Sequence, residues 1–266
     1  MERIDRTEGR RLFGSDPAAY DSARPGHAQR VYEILIERCG LDQGTRTLEV
    51  GPGTGQATRR LLELGANPLV AIEPDSALAA YLEKRLDGRV DVRVVALEDV
   101  DLPANEFDLA VAASSFHWVE ESLGLGKIFA ALQPGGWFAM WWTLFGEGGD
   151  ADPFIAATSP LLTDLLASPT RGMEGRPPHA LDTEARLAAL EAEGFDIADH
   201  ELVTWNASWD TVGVRALYGT FSPIARLDDA RKKKILDGVA RIGELDFGGR
   251  VDRRLRTSLF TAQRPR

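Results

Sequence analysis

Three glycines at alternate positions, Gly51, Gly53 and Gly55, follow the apolar run that begins at Thr47. A carboxylate, Glu73, stands twenty positions beyond Gly53, closing a second apolar run, LVAIEP. Strand, glycine turn, helix, strand and acid is the sequence form of a nucleoside-binding crevice in a parallel sheet. Glycine lets the backbone bend sharply and lets a bulky ligand approach where a Cβ would obstruct it. The acid offers two oxygens that accept hydrogen bonds from both hydroxyls of a ribose. A dinucleotide fingerprint would need a small residue at 56 or 58, where Gln56 and Thr58 stand, and no lysine completes a phosphate-cradling loop. The turn therefore suits a nucleoside without a pyrophosphate.

The residues after this turn extend the pattern. EPD at 73–75, LEDVDLP at 97–103, FDLAVAASSFHWV at 107–119 and LQPGGWFAMWW at 132–142 follow in order. On these residues the chain resembles a class I S-adenosylmethionine-dependent methyltransferase, whose first motif has the form hhExGxGxG. AAYDSARPGH near the N-terminus and the FHW triplet resemble a subset acting on small molecules, such as trans-aconitate methyltransferases. The resemblance implies a Rossmann-like sheet, S-adenosylmethionine as cofactor and S-adenosylhomocysteine as product. It implies Glu49, Gly51, Gly53 and Gly55 around the methionine portion, Glu73 on the ribose with Pro74 fixing the chain beyond it, and Leu97 and Glu98 at the adenine edge. Many members carry Asp where Ala96 stands, which shifts adenine recognition to Glu98, Asp99 or backbone N–H groups. Ser114 is expected to border the cofactor from the end of the fourth strand.

His117 is the catalytic candidate, because the resemblance places the transferred methyl beside it and imidazole titrates near neutrality. The alternative is a histidine bonded to its surroundings that shapes the pocket without moving protons. Tyr20, Arg24 and His27 lie in a segment that closes over the donor in similar proteins, and Arg24 could hold an anionic acceptor by bidentate pairing. Trp118, Trp142 and Trp205 are candidate acceptor contacts. With Trp141, Tyr218, Phe221 and Phe154 they point to an apolar, aromatic acceptor pocket. His179, isolated in RPPHA, carries no assigned role.

Elements must position these groups. Strand patterns occur at Thr47–Val50, Leu69–Ile72, Val92–Ala96, Phe107–Ala113 and Trp137–Leu144, with helical periods at Pro25–Arg38, Ala57–Leu64, Ser76–Leu86 and Glu121–Leu132. Such alternation predicts an α/β fold, a doubly wound, mostly parallel seven-stranded sheet. After Leu144 the rhythm breaks at GEGGDADP. A helix near Pro153–Ala167, a proline-rich loop over 168–182, a helix over Thr183–Glu193 and a strand over His200–Trp205 follow. Helices at about 211–221 and 228–243 precede a last strand, Arg253–Gln263. Residues 1–144 then form the lid segment and the cofactor half of the sheet. Residues 145–182 and 206–248 form a helical cap, while 183–205 and 249–266 return to the sheet.

Composition bounds the partners. A net charge of −10 disfavours a sequence-independent grip on nucleic acid, and the RKKK run at 231–234 reads as a solvated helix face. Cys39 is the only cysteine, on an apolar stripe with Val31, Ile34 and Leu35, so neither an intramolecular disulfide nor a cysteine-rich zinc site is available. The N-terminus lacks a signal-peptide core and the longest apolar stretch, WFAMWWTLF, is too short to span a bilayer as a helix. The expectation is a cytoplasmic, metal-free monomer or homodimer transferring methyl to a small molecule by in-line displacement. The rivals are a nucleoside-binding regulatory module and a non-methyl transfer or cyclisation on the same fold.

Overall fold

The computed structural model describes residue 4 and residues 13–146, 152–165 and 177–266. Most of the charged N-terminal stretch, most of the GEGGDADP hinge and the first part of the proline-rich loop lie outside the described residues.

Seven strands form one sheet in the order β3-β2-β1-β4-β5-β7-β6. They are β1 (Thr45–Val50), β2 (Ala66–Ile72), β3 (Asp91–Arg93), β4 (Phe107–Ala113), β5 (Leu132–Leu144), β6 (Asp196–Asp210) and β7 (Arg250–Gln263). The first five pair in parallel, and β7 inserts antiparallel between β5 and β6. The helices of the core are α1 (Pro17–Ala23), α2 (Gln29–Glu37), α3 (Gln56–Glu63), α4 (Ser76–Leu86), α5 (Glu121–Ala131) and, later, α7 (Thr183–Ala192). Asp75 caps α4 by accepting from the N–H groups of Ala77 and Leu78, a cap that also ends the β2 turn.

Alternation along β1 sends Leu48 and Val50 to one face and Thr47 and Glu49 to the other. On the first face Leu48, Ile72 and Phe138 pack with Ile128 of α5 and Leu190 of α7. On the second, Val111 and Trp141 pack with Leu35, Leu61 and Leu82 of α2, α3 and α4. Both faces are covered, as a parallel sheet requires. Cys39 is buried in this second cluster, where burial pushes its thiol up to about 12, so it is inert.

The excursions build a third core. It joins Phe154 of α6 (Pro153–Thr158), Val214 and Tyr218 of α8 (Thr211–Gly219), Ile224 of α9 (Ser222–Ala225) and Val239 of α10 (Asp229–Phe247) over Val251 of β7. Two boundaries differ from expectation. The expected long helix after Pro153 ends at Thr158 and tightens into a 3-10 turn over Ser159–Leu162. Residues 206–210, assigned to the cap, are still strand, paired with Arg254 back to Arg250. Strand β3 is also shorter than expected, leaving Val94 half exposed. Among the described residues no helix is long and apolar enough to cross a membrane.

Candidate active site

Strand β1 ends in a turn held from beneath. Gly51 donates its N–H to Ile72 of β2 at 2.8 Å, and Gly53 donates to Glu73 Oε2 at 3.0 Å. Asp75 N–H donates to Glu73 Oε1, also at 3.0 Å, so Glu73 is buried yet organises the turn around its own carboxylate. Gly51 has φ +65°, and a Cβ there would come 2.5 Å from Ser115 Cβ. Glycine at 51 is thus what lets the β1 and β4 turns close on each other. At Gly53 a Cβ would meet nothing within 4 Å, because that position opens into a cavity.

The cavity has a volume of about 920 Å³ and begins at Gly51, Gly53, Glu73 and Pro74. Leu97 and Glu98 border the same end, with Glu98 Oε1 accepting from Glu120 N–H at 3.0 Å. Ser114, at φ +55°, lines it from the end of β4, and the Ser115 hydroxyl donates to the Val50 carbonyl. A left-handed non-glycine residue at this point is local strain of a kind that collects at functional sites.

Two expected residues sit elsewhere. Gly55 does not line the cavity. It begins α3 at φ +83°, and a Cβ there would run into Leu82 of α4, so its smallness serves helix packing. Glu49 is completely buried on the second face, and neither of its oxygens accepts a hydrogen bond among the described residues. Burial pushes its carboxyl up to about 7, and the Glu73 charge adds to the rise.

The far end of the cavity is aromatic. The 3-10 turn Phe116–Trp118 carries His117 and Trp118 to its wall, and Trp142 reaches it from the end of β5. Trp142 Nε1 donates to His117 Nδ1 at 3.0 Å. Its neighbour Trp141 turns to the opposite face, edge-on to His27 at 5.5 Å and Tyr32 at 6.5 Å. His27 keeps part of its surface accessible, but its Nδ1 is buried without a partner among the described residues. Burial, then the Arg24 charge, lowers its pKa to about 4. Trp205 misses the cavity. It lies in mid-strand, donating to Thr257 Oγ1 at 2.9 Å and packing on the second core.

The N-terminal segment closes this end. Tyr20 lines the cavity, and Phe13 packs edge-on against both Tyr20 (5.4 Å) and Trp118 (6.0 Å). Arg24 bonds Thr220 through Nε to Oγ1 (2.7 Å) and through Nη2 to the carbonyl (3.2 Å). Its guanidinium also lies 4.9 Å from the Phe145 ring and 5.3 Å from those of Tyr20 and Phe221. Arg24 is therefore a bolt between this segment and the end of α8. Phe13 and Phe145 escaped the sequence reasoning. The apolar pair Leu12–Phe13 in a charged stretch was the available signal for the first.

Residues 48–140 match a methyltransferase domain model, about a third of the chain. An uncharacterised methyltransferase of Schizosaccharomyces pombe is 25% identical over 85% of this chain and 84% of its own length. One of Mycobacterium bovis is 30% identical over 51% of this chain, which spans about half (53%) of that relative. The fold resembles Haemonchus contortus phosphoethanolamine N-methyltransferase 2, solved with phosphomonomethylethanolamine and S-adenosylhomocysteine (TM-score 0.59, 15% identity, 99% of this chain and 61% of that one). It also resembles the cyclase SpnF (TM-score 0.60, 21% identity, 100% and 98%). Residues 48–140, which carry the glycine turn and Glu73, are thus similar to a methyltransferase domain, and the fold is one that methyltransferases share.

Proposed function

We propose that this protein moves a methyl group from S-adenosylmethionine to a small, largely apolar acceptor. The observation that carries the reading is the single cavity joining the Gly51–Gly53 turn and Glu73 to the chamber of Tyr20, Trp118, Trp142 and Phe221. Its volume suits two small ligands side by side.

The residues fit the donor. The N–H groups of Gly53 and Asp75 hold the Glu73 carboxylate at the cavity wall, a chemistry suited to accepting from ribose hydroxyls. Gly53 leaves room where a side chain would intrude, and Leu97 supplies an apolar surface for a base. The bound sulfonium supplies an already activated methyl, so the protein's own task is alignment and exclusion of water. Phe13, Tyr20 and the Arg24–Thr220 bolt perform that exclusion from above.

Titration calorimetry with S-adenosylmethionine and NAD in parallel tests the donor. Binding of the first alone is expected, Glu73→Ala should abolish it and His117→Ala should retain it; a response to NAD alone would overturn the reading. A metabolite-extract screen for products heavier by one methyl then identifies the acceptor. Donor binding with no methylated product in any extract would favour a regulatory nucleoside-binding module instead.

A further inference from the structure

We infer that the protein has a second ligand site, a groove between α1, α3 and α4 that takes a small phosphate monoester. The groove has a volume of about 480 Å³, within the range of small-ligand sites. Arg24, Arg59, Arg60 and Arg85 line it, and among the described residues Asp21 is the one acid in its wall. The chain as a whole carries a net charge of −10. Four guanidinium groups around one carboxylate therefore make a local positive field on an otherwise acidic molecule. Such a field draws a small anion, whereas the acidic remainder repels an extended one such as RNA.

Asp21 marks where an oxyanion sits. Its side chain is 9% exposed, Arg85 Nη1 of α4 bonds one of its oxygens, and Arg59 Nη2 of α3 stands 3.8 Å from the other. That second contact is too long for a hydrogen bond, and Asp21 Oδ1 is buried with no hydrogen-bond partner among the described residues. Two helices thus aim guanidinium groups at one carboxylate that does not satisfy both. A phosphate dianion answers two planar forks better, since its oxygens match them bidentately. The side chains of Arg59, Arg60 and Arg85 are each about a third exposed, so the groove is reached from solvent. The neighbouring acids are otherwise engaged: Glu63 bonds Arg60 at 2.9 Å, and Asp16 caps α1 by accepting from Ala19 N–H. Arg24, His27 and Gln56 belong to the walls of both this groove and the donor cavity, so the two lie back to back. The groove itself does not depend on the methyltransferase reading.

Titration of the full chain with inorganic phosphate, glycerophosphate and succinate, followed by calorimetry, tests the site. Both phosphates are expected to bind, glycerophosphate more tightly because the groove has room beyond the anion, and succinate not at all. Arg59→Gln combined with Arg60→Gln should weaken phosphate binding by about tenfold or more, since hydrogen bonds to charged groups are lost. Asp21→Asn should move affinity the other way, tightening it about tenfold by removing the competing carboxylate. Opposite signs from two neighbouring substitutions separate a ligand site from general damage to the fold. No heat with either phosphate at millimolar concentration, or equal affinity in all three proteins, would overturn the inference. Repeating the titration with saturating S-adenosylmethionine distinguishes the groove from the donor cavity. Phosphate binding should persist there, and its loss would place the anion in the donor cavity and sink the second site. Tight binding of mixed-sequence RNA that the double variant loses would overturn it as well, making the groove a nucleic-acid contact.

Discussion

Glu49 carries a carboxylate into the second core and gives neither oxygen a hydrogen bond among the described residues. Its pKa is raised by burial from 4.5 to about 7, so between those values the folded state holds a proton that the unfolded chain releases. Its contribution is fully present below about 4.5 and is lost as pH rises through about 7. Glu49→Gln, which cannot ionise, should therefore melt roughly 5 °C above the unaltered protein at pH 8 and near it at pH 4.5, read by calorimetric melts at both. His27 acts in the opposite sense. Its depressed pKa costs stability as pH falls from 6.5 toward about 4, because there the unfolded state takes up the proton first. What was legible at this scale was backbone chemistry. Gly51, Gly53 and Glu73 could be read from sequence because a turn's conformational demands are local. Trp205 could not, since its placement depends on where its strand stops. Strand β6 runs on to Asp210, five residues or about 16 Å beyond Trp205, which leaves the ring in mid-sheet.

Among the elements, α6 is joined to β7 through Asp152. Asp152 caps it, accepting from the N–H groups of Phe154 and Ile155, and also receives Arg253 Nε of β7 at 2.7 Å. Arg253, 1% exposed, completes the joint by donating Nη2 to the Phe145 carbonyl at 2.8 Å. Removing one partner of so buried a pair strands the other's charge. Arg253→Ala should cost about 3–5 kcal/mol in urea unfolding, whereas the exposed pair Lys233–Asp237 should contribute below about 1 kcal/mol when Lys233 is replaced by Ala. A loss at Arg253 no larger than at Lys233 would show that the cap is held some other way. The core strands and helices were legible because their apolar periods are strong. The segment after Leu144 was harder to read: alternation puts Arg253 on the face of Val251 and Leu255, but nothing in the sequence names Asp152, a hundred residues earlier, as its partner.

For the molecule as a whole, closure depends on contacts between distant parts of the chain. Arg24 and Thr220 are 196 residues apart, yet their two hydrogen bonds tie the N-terminal segment to the end of α8. On the other side Asp21 pairs with Arg85 of α4. Arg24→Ala should leave the core intact and speed S-adenosylmethionine dissociation about tenfold, ~1.4 kcal/mol, measured by stopped-flow displacement. An unchanged off-rate would mean the bolt does not gate release. The order of strands carries a last consequence, for assembly. Among the described residues strand β6 pairs with no strand but β7, which follows every other strand in sequence and wedges between two that precede it. A nascent chain that has reached Gly249 holds fifteen residues of β6 with no neighbour to bond them, and the joint at Asp152 still awaits its arginine. The last strand thus locks the second half of the sheet: a ribosome-stalled fragment lacking β7 should keep the Gly51–Glu73 turn while β6 and α6 stay unanchored.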